Sequence, residues 1–137
     1  MDRIMSRRAI FLFLLLLVAG CGTTAPDLSA IAPPDDAWFK ENVTSQTTPV
    51  VVDFTASWCG PCQMLKPFLE AMEKNHPGAV KVVPIDVDSR PDLVSHYGLS
   101  GSVPVLLMIK QGKVVDICRG APPSYDDLMS WAGPHLK

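Results

Sequence analysis

Apolar residues after position 35 alternate between short β-branched runs and segments with helical spacing. The run at 50–54 (VVVDF) and the run at 80–87 each predict a strand buried on both faces. The segment from about Cys59 to Asn75 predicts a helix between these two strands. Its inner stripe consists of apolar residues at helical spacing: Leu65, Phe68, Leu69 and Met72.

A short helix is predicted ahead of the first strand. Asp35 or Asp36 can cap its first turn, because a side-chain oxygen there accepts a backbone N–H that has no helical partner. We expect this helix to extend through Val43. Its residues available for burial are Trp38, Phe39 and Val43.

Two later helices have polar start signals. Ser89, with Asp92 three positions on, predicts a capping box for a helix that ends at Gly98. Ser124 opens a last helix, and Asp126 and Asp127 follow it in the first turn, where the helix dipole stabilises acidic side chains.

A hairpin is predicted near the C-terminus, where Gln111 and Gly112 separate apolar runs at 105–110 and 114–118. The earlier strand–helix–strand unit implies a parallel pair, and the hairpin adds antiparallel strands. We therefore predict an α/β fold with a mixed central sheet and helices on both faces. The length of 137 residues suits one domain, which we place at 35–137.

The first part of the chain has the features of a secretion signal. Arg3, Arg7 and Arg8 form a basic front, and the run at 9–18 is unbroken and apolar. A helix that spans a bilayer needs roughly 20 apolar residues, so this run is too short to span one comfortably. We predict a signal peptide at 1–20, and a short membrane anchor or a buried helix is the alternative.

The end of this signal, VAGC at 18–21, resembles the lipobox of bacterial lipoproteins. In that family the cysteine receives a diacylglycerol on its sulfur and becomes the N-terminal residue after cleavage. The resemblance implies that Cys21 is a membrane anchor, the alternative being an ordinary cleavage site with an incidental cysteine. Small, polar and proline residues at 21–34 predict a lipidated N-terminus and a flexible tether. Two or more acyl chains hold a protein on a membrane.

Charge argues against two kinds of partner. Without residues 1–20 the chain keeps nine basic and 13 acidic residues, which gives a formal charge near −4. An acidic domain is a poor match for nucleic acid. It is equally unsuited to electrostatic docking on anionic lipid, so attachment to a membrane depends on the lipid at Cys21.

The candidate chemistry lies at Trp58-Cys59-Gly60-Pro61-Cys62, where a buried strand turns into a helix. A thiolate is the nucleophile in disulfide exchange, and a free cysteine ionises only at about pH 8.5. At a helix N-terminus, unpaired N–H groups and the macrodipole favour negative charge on the first cysteine. The second cysteine lies about one turn further in, close enough to attack a mixed disulfide. Pro61 suits the first turn, where its missing N–H would have no partner.

A structural disulfide and a metal site are the alternatives to a redox role for this cysteine pair. A structural disulfide across so short a loop constrains the unfolded chain little, so it would add little stability. A metal site is disfavoured because His76, His96 and His135 have no recognisable ligand spacing and no second C-x-x-C follows, so we expect no metal. Cys118, in a predicted edge or near-edge strand, is expected to be packed and unreactive, and a regulatory thiol is the alternative.

These motifs together resemble the thioredoxin family from about residue 35 to the C-terminus. The matching features follow one another in order along the chain: VDF at 52–54, WCGPC at 58–62, Pro67, YGLSGSVP at 97–104, Gly112 and Gly120. The resemblance implies a thioredoxin fold. It also implies a thiol–disulfide oxidoreductase whose redox centre is a Cys59–Cys62 disulfide and which has no cofactor.

The resemblance implies roles for three catalytic residues. Cys59 is the attacking thiolate, Cys62 is the resolving thiol, and Asp53 is a buried carboxylate that assists proton transfer at Cys62. Two departures change the surroundings: Thr55 stands where thioredoxins usually have tryptophan, and Pro84 stands where they usually have lysine. Without that lysine we expect burial to raise the pKa of Asp53 above the family norm.

Five further residues are implied to shape the site. Trp58 shields and orients the thiolate, and Gly60 and Pro61 lie between the cysteines. Pro104, in the cis form, lies against the cysteine pair. The backbone of Val103 can pair with an extended substrate segment.

The direction of electron flow is inferred from Gly-Pro between the cysteines. This pair resembles reducing thioredoxins, at about −270 mV, and not the oxidising periplasmic enzyme at about −120 mV. We expect a monomeric reductase of disulfides in exported proteins, including apocytochromes c before haem attachment, on a bacterial membrane facing the periplasm or the cell exterior. In an oxidising compartment it needs a membrane thiol electron donor. The alternatives are a disulfide oxidase or isomerase, a copper chaperone using the same cysteines, and an inactive adhesion or scaffold protein.

Overall fold

The computed structural model of the protein describes residues 27–99 and 101–136, so the predicted signal peptide at 1–20 and Cys21 lie outside the described residues. The strands are β1 at Val50–Thr55, β2 at Lys81–Asp86, β3 at Val105–Lys110 and β4 at Lys113–Arg119. The helices are α1 at Ala37–Phe39, which continues as a π-helical turn over Lys40–Thr44, α2 at Gly60–Asn75, α3 at Pro91–His96 and α4 at Tyr125–Ala132. Short 3₁₀ turns cover Leu28–Ala30 and Gly133–His135. Within the described part of the chain, no helix has the length and apolar character needed to cross a membrane.

The strands form one mixed sheet in the order β2-β1-β3-β4. β1 and β2 are parallel, whereas β3 pairs antiparallel with both β1 and β4. The turn between β3 and β4 places Gln111 and Gly112 at φ values of 51° and 77°, in the left-handed region that glycine adopts without strain. The predicted hairpin and the predicted mixed sheet are confirmed.

Each face of the sheet is covered by helices and has its own apolar core. On one face, Phe39 of α1 and Tyr97 at the end of α3 pack against strand side chains. On the other face, Leu65 of α2 and Leu128 of α4 are buried. The predicted inner stripe of α2 is buried apart from Phe68, which is half-buried. Helices on both faces of a mixed sheet are therefore confirmed.

The outer edge of β2 is blunted against pairing with another strand. The N–H of Val82 donates to Oε1 of Glu73, on α2, at 3.1 Å. Pro84, two residues further on, has no N–H to offer, and an edge strand is where a sheet tolerates proline. Both features reduce the tendency of an open edge to pair with a second chain.

Asp36 caps the first helix. The sequence predicted that either Asp35 or Asp36 would do so. Its Oδ1 accepts a hydrogen bond from the N–H of Phe39 at 2.6 Å, and its Oδ2 accepts one from Arg90 at 2.8 Å. Trp38 is 41% exposed, and the Arg90 guanidinium lies 5.5 Å from the centre of its ring. The expectation that Trp38 is available for burial is wrong, because this side chain lies outside the core with Arg90 over it.

The capping box predicted at Ser89 and Asp92 is not formed. α3 begins after Arg90, whose side chain makes no cap bond, and Pro91 occupies the first turn. The prediction is wrong because Asp92 pairs with Arg90 at 2.8 Å and the N–H of Ser89 donates to a carboxylate at the end of β2. Ser124, in contrast, caps α4 as predicted, with its Oγ accepting a first-turn N–H at 3.1 Å.

Residues 27–34 pack on the domain, so the free tether predicted at 21–34 is wrong for this part. Leu28 is buried and belongs to the core on the face of α1 and α3. The carbonyl of Ala32 accepts a hydrogen bond from Nε2 of His96 at 2.8 Å. Burial of the Leu28 side chain stabilises the folded state. The composition of the segment, which is mostly small, polar and proline residues, does not indicate that one leucine in it is buried.

Candidate active site

The cysteine motif occupies the turn from β1 into α2. Cys59 is the N-cap of α2, and its Sγ accepts a hydrogen bond from the N–H of Cys62 at 3.2 Å. Pro61 lies in the first turn, where its missing N–H leaves no bond unmade. The N-terminus of α2 is thus directed at the sulfur of Cys59, and in the reduced protein it favours a negative charge there.

Cys59 and Cys62 are joined in a disulfide, with 2.08 Å between the sulfurs and 5.3 Å between the Cα atoms. Cys59 is 5% exposed and Cys62 is 1% exposed. Cys59 is therefore the more accessible cysteine, and Cys62 lies behind it. This order suits the expected roles of attacking and resolving sulfur.

Apolar groups from three parts of the chain surround the cysteine pair. Ala56 forms a small buried cluster with both cysteines, and Val87 and Val103 pack against that cluster. The Val103–Pro104 peptide bond is cis, and Pro104 is buried. The structure therefore brings Val103 to the cysteines, although it is distant from them in sequence.

Trp58 is 66% exposed beside the pair, and its Nε1 donates a hydrogen bond to Oδ2 of Asp88 at 2.8 Å. Gly60 and Pro61 are exposed as well, so another protein can approach Cys59 from this side. Asp88 was not among the residues predicted for the site. It follows β2, and the carboxyl ends of parallel strands lie at the same edge of a sheet, which is the signal that could have identified it.

Asp53 is a buried acid on β1. It is 5% exposed, and its Oδ1 has no hydrogen-bond partner among residues 27–99 and 101–136. Burial raises the pKa of Asp53 from the ordinary value of 3.8 to about 6. The expectation that this pKa lies above the family norm stays a prediction. Asp53 lines the same cavity as Cys62. An acid with this pKa exchanges its proton near neutral pH, which suits it to serve a neighbouring thiol as acid and base.

Cys118 lies outside this site, half-buried on β4. Burial raises the pKa of its thiol, and the negative charge of Asp116 raises the pKa further. Asp116 accepts hydrogen bonds from Nε2 of His135 at 2.8 Å and from the N–H of Ile117 at 2.7 Å. Because a thiol that resists ionisation is a poor nucleophile, these contacts agree with a packed and unreactive Cys118.

The described part of the chain contains no group of three or more His, Cys, Asp or Glu side chains that could hold a metal ion. Two of the histidines considered as ligands make other contacts. His96 bonds to the carbonyl of Ala32, and His135 bonds to Asp116.

The arrangement can exchange one disulfide for another. An outer sulfur at a helix N-terminus can attack, an inner sulfur behind it can resolve the mixed disulfide, and an acid of raised pKa lines the same cavity as the inner sulfur. Such a site, on a mixed sheet with helices on both faces, defines a thiol–disulfide oxidoreductase.

Comparisons with known proteins specify the family. The family model described as Thioredoxin matches residues 30–133. Thioredoxin 1 of Nostoc sp. is 41% identical over 96 residues, and the thioredoxin of Synechocystis sp. is 43% identical over 96, each alignment covering 70% of this chain and 89% of the relative. The mitochondrial thioredoxin of Mus musculus is 44% identical over 94 residues, which cover 69% of this chain and 56% of that protein. The chain therefore belongs to the thioredoxin family, whose members carry out this exchange with their own cysteine pair and without a cofactor.

Proposed function

We propose that this oxidoreductase reduces disulfides of exported proteins, including apocytochromes c before haem attachment, through its Cys-Gly-Pro-Cys centre. The observation that carries the proposal is the position of Cys59 Sγ at the start of α2, where it accepts the N–H of Cys62 at 3.2 Å. A thiolate there is stabilised by the helix N-terminus and can attack a substrate disulfide. The reducing direction is proposed from Gly60 and Pro61 between the cysteines, which resemble the sequence of reducing thioredoxins.

Reduction proceeds in two exchanges. In the first, the Cys59 thiolate attacks one sulfur of the substrate disulfide, and the other substrate sulfur leaves as a thiolate that takes a proton from water. In the second, Asp53 takes the proton of Cys62, and the Cys62 thiolate attacks Sγ of Cys59. The bond from Cys59 to the substrate breaks, and the second substrate sulfur leaves as a thiolate. Two electrons have then passed to the substrate, and the Cys59–Cys62 disulfide has formed.

The substrate docks on the exposed surface beside Cys59. Trp58 and Pro61 are exposed there, and Val103 packs against the cysteine cluster. An extended substrate segment can pair with the backbone of Val103, which brings its disulfide over Cys59. The bond from Trp58 to Asp88 holds the indole ring in one orientation next to this segment.

We also propose that the protein is exported and anchored by lipid to a bacterial membrane, facing the periplasm or the cell exterior. The basic and apolar segment at 1–20 and the lipobox-like residues ending at Cys21 support this location. Both precede the region at 30–133 that matches the family. An oxidising compartment does not keep a dithiol reduced, so a membrane thiol donor supplies the electrons.

The reduction potential of the purified protein tests the direction of electron flow. Equilibration of the Cys59–Cys62 pair with defined dithiol and disulfide mixtures should give about −270 mV, the value of reducing thioredoxins. A value of about −120 mV would instead assign an oxidase. Metal analysis of the same reduced protein tests the copper-chaperone alternative, which requires bound metal.

Mass spectrometry of the N-terminal peptide tests the anchor. We expect Cys21 as the first residue, with acyl groups attached, and we expect Cys21→Ser to be released from the membrane fraction. Recovery of Cys21→Ser with the membranes in the same amount as the unsubstituted protein would contradict lipid anchoring.

A further inference from the structure

Trp38 is an exposed indole that the proposed reaction does not use. It is 41% exposed on α1, whereas Trp58, beside Cys59, is 66% exposed. The other large apolar side chains exposed in the described part of the chain are Met64 and Val115. Tryptophan is among the residue types enriched in the side chains that dominate binding energy at interfaces. Trp38 is therefore a candidate contact residue, provided that it lies where a partner docks.

A continuous series of contacts connects Trp38 to the docking surface. Nε1 of Trp58 donates to Oδ2 of Asp88 at 2.8 Å. Two residues further on, Arg90 places its guanidinium 5.5 Å from the centre of the Trp38 ring. The chain between Asp88 and Arg90 is exposed, so a partner can contact both indoles along one surface. We refer to Trp38, Trp58 and residues 88–90 as the tryptophan strip.

Ion pairs hold the Trp38 end of the strip in place. One guanidinium nitrogen of Arg90 lies 2.8 Å from Oδ2 of Asp36 and 2.8 Å from Oδ2 of Asp92. Asp36 also caps α1 by accepting the N–H of Phe39. The guanidinium is thus fixed beside the Trp38 ring before any partner arrives. A surface that is already ordered loses less conformational entropy when it binds.

The charge around the strip indicates which partner fits it. The segments 35–40 and 88–92 carry four acidic and two basic side chains, which are Asp35, Asp36, Asp88 and Asp92 against Lys40 and Arg90. The net charge of these segments is therefore negative. A negative surface attracts a basic polypeptide segment and repels the anionic headgroups of a membrane. The exposed indoles add apolar area to which an apolar side chain can pack.

We propose that the tryptophan strip binds a basic and apolar segment of the substrate polypeptide, next to the disulfide that docks at Cys59. The inference rests on the proposed reductase function and adds a substrate class to it. An apolar side chain of the segment packs on the exposed part of Trp38, and a neighbouring lysine or arginine lies beside Asp88 and Asp92. The strip does not contact the reacting sulfurs, so it strengthens substrate binding and leaves the rate of disulfide exchange unchanged.

Two disulfide peptides that differ in one segment test the substrate class. One carries leucine and arginine beside its cysteine pair, and the other carries leucine and glutamate at the same positions. In single turnovers of the reduced protein, the basic peptide should reach half of its limiting rate at about five- to tenfold lower concentration, with limiting rates within about twofold. Ionic strength of about 0.5 M should reduce this preference to about twofold, because exposed charges are then screened. Equal half-saturating concentrations at low salt would overturn the proposal.

Matched substitutions separate contact with the strip from the overall charge of the domain. Trp38→Ala should raise the half-saturating concentration of the basic peptide about fivefold, whereas Val115→Ala, which shortens another exposed apolar side chain on β4, should not. Asp92→Asn should lower the preference about twofold, whereas Asp126→Asn, on α4 at the opposite face of the sheet, should not. Hydroxyethyl disulfide has no flanking segment, so all four variants should reduce it at the unsubstituted rate. Equal effects of a strip variant and its control would overturn the proposal.

The indole N–H resonances of the three tryptophans report the contact directly. In Cys62→Ser, each peptide is captured through one cysteine that carries a small thiol in disulfide linkage: the Cys59 thiolate attacks the peptide sulfur, and the small thiol leaves as a thiolate. The resonances of Trp58 and Trp38 should shift with the basic peptide, and only that of Trp58 should shift with the acidic one. Trp131, on α4, is the internal reference. A Trp38 resonance that stays in place with the basic peptide, or that shifts only with zwitterionic vesicles or with protein concentration, would overturn the proposal.

Failure of this inference is distinguishable from failure of the reductase function. If the unsubstituted protein reduces both peptides with the same half-saturating concentration, the strip proposal fails and the reductase proposal stands. If Cys59→Ser reduces hydroxyethyl disulfide as fast as the unsubstituted protein, the reductase proposal fails.

Discussion

Two cysteine–aspartate pairs in this molecule have opposite properties. Cys62 and Asp53 line one cavity, and burial raises the pKa of Asp53 to about 6. Cys118 and Asp116 lie two residues apart on β4. Burial alone would raise the pKa of Asp116, but hydrogen bonds from His135 and from a backbone N–H hold it below its ordinary value.

The difference shows that a carboxyl assists a thiol only when it can change its own protonation state. Asp53 alternates between acid and carboxylate near neutral pH, so it can receive the proton of Cys62. Asp116 stays ionised, and its charge makes Cys118 harder to deprotonate. The same two residue types therefore suit the proposed proton transfer in one place and suppress ionisation of the thiol in the other.

The largest contrast is expected between Cys59→Ser and Cys118→Ser. Cys59→Ser should lower the rate of insulin-type disulfide reduction by on the order of 10³-fold or more, because the nucleophile is lost. Cys118→Ser should stay within about twofold of the unsubstituted protein, since its thiol resists ionisation. A large loss of activity in a Cys118→Ser protein that retains its fold would show that the two sites are not independent.

The second contrast concerns stability against pH in Asp53→Asn. Folded Asp53 keeps its proton up to pH about 6, but the unfolded chain loses it near the ordinary value of 3.8, so the unsubstituted protein loses stability as pH rises between these values. A shift of this size corresponds to about 2–3 kcal/mol. The stability of Asp53→Asn relative to the unsubstituted protein should therefore increase by about that amount from pH 4 to pH 7.

Urea unfolding of the oxidised proteins at several pH values measures this change, and Asp116→Asn is its control. The lowered pKa of folded Asp116 contributes stability that is present at neutral pH and is lost as pH falls through that pKa. Asp116→Asn should therefore be less stable than the unsubstituted protein at pH 7. Its relative stability should fall as pH rises, whereas that of Asp53→Asn should increase. If the stability of the two variants changed with pH in the same way, the two carboxyls would not differ in the direction of their pKa shifts.

Alkylation of the reduced protein compares the thiols directly. Cys59 lies at a helix N-terminus, so it should react at least about tenfold faster than Cys118 at neutral pH, and its rate should level off at a lower pH. Mass spectrometry of the modified peptides assigns each rate, with Cys118→Ser as the control. Equal rates would mean that the start of α2 does not favour the thiolate.

The smallest effect is expected at Cys118 in Asp116→Asn. Removal of the nearby negative charge leaves burial as the remaining cause of the raised pKa, so alkylation of Cys118 should increase roughly threefold. The rate at Cys59 should stay the same, which provides the internal reference. An unchanged rate at Cys118 would mean that burial alone suppresses this thiol.

Local sequence patterns predicted much of the fold and of the site. The inner stripe of α2, the cap at Ser124 and the hairpin at Gln111 and Gly112 each depend on residues a few positions apart, and each is present as predicted. The cysteine motif also depends on nearby residues only. The apolar run before it predicts a strand and the segment after it predicts a helix, so the motif is placed at the turn between them. Elements of this kind can be predicted without knowledge of the tertiary structure.

The features that the sequence did not reveal depend on contacts between distant segments. The bond from Trp58 to Asp88 joins residues 30 positions apart. The cavity that Asp53 and Cys62 line also has Pro84 in its wall, opposite Asp53 in the register of β1 and β2. Neither Asp53 nor Pro84 by itself predicts this cavity. The packing of Leu28 depends on a core whose buried members are spread along the chain from Leu28 to Val114. Each of these features is determined by a tertiary contact, and the residue pattern within a single segment does not predict such contacts.

The attachment of residues 27–34 to the domain limits where a protease could release it from a membrane. Proteases cut chain that can leave its surroundings, and here Leu28 is held in the core and the carbonyl of Ala32 by His96. If Cys21 carries the lipid, shedding of an intact enzyme requires a cut before Asp27. A cut after Ala32 would free a domain that has lost the core contact of Leu28, so solubilisation and inactivation would then accompany each other.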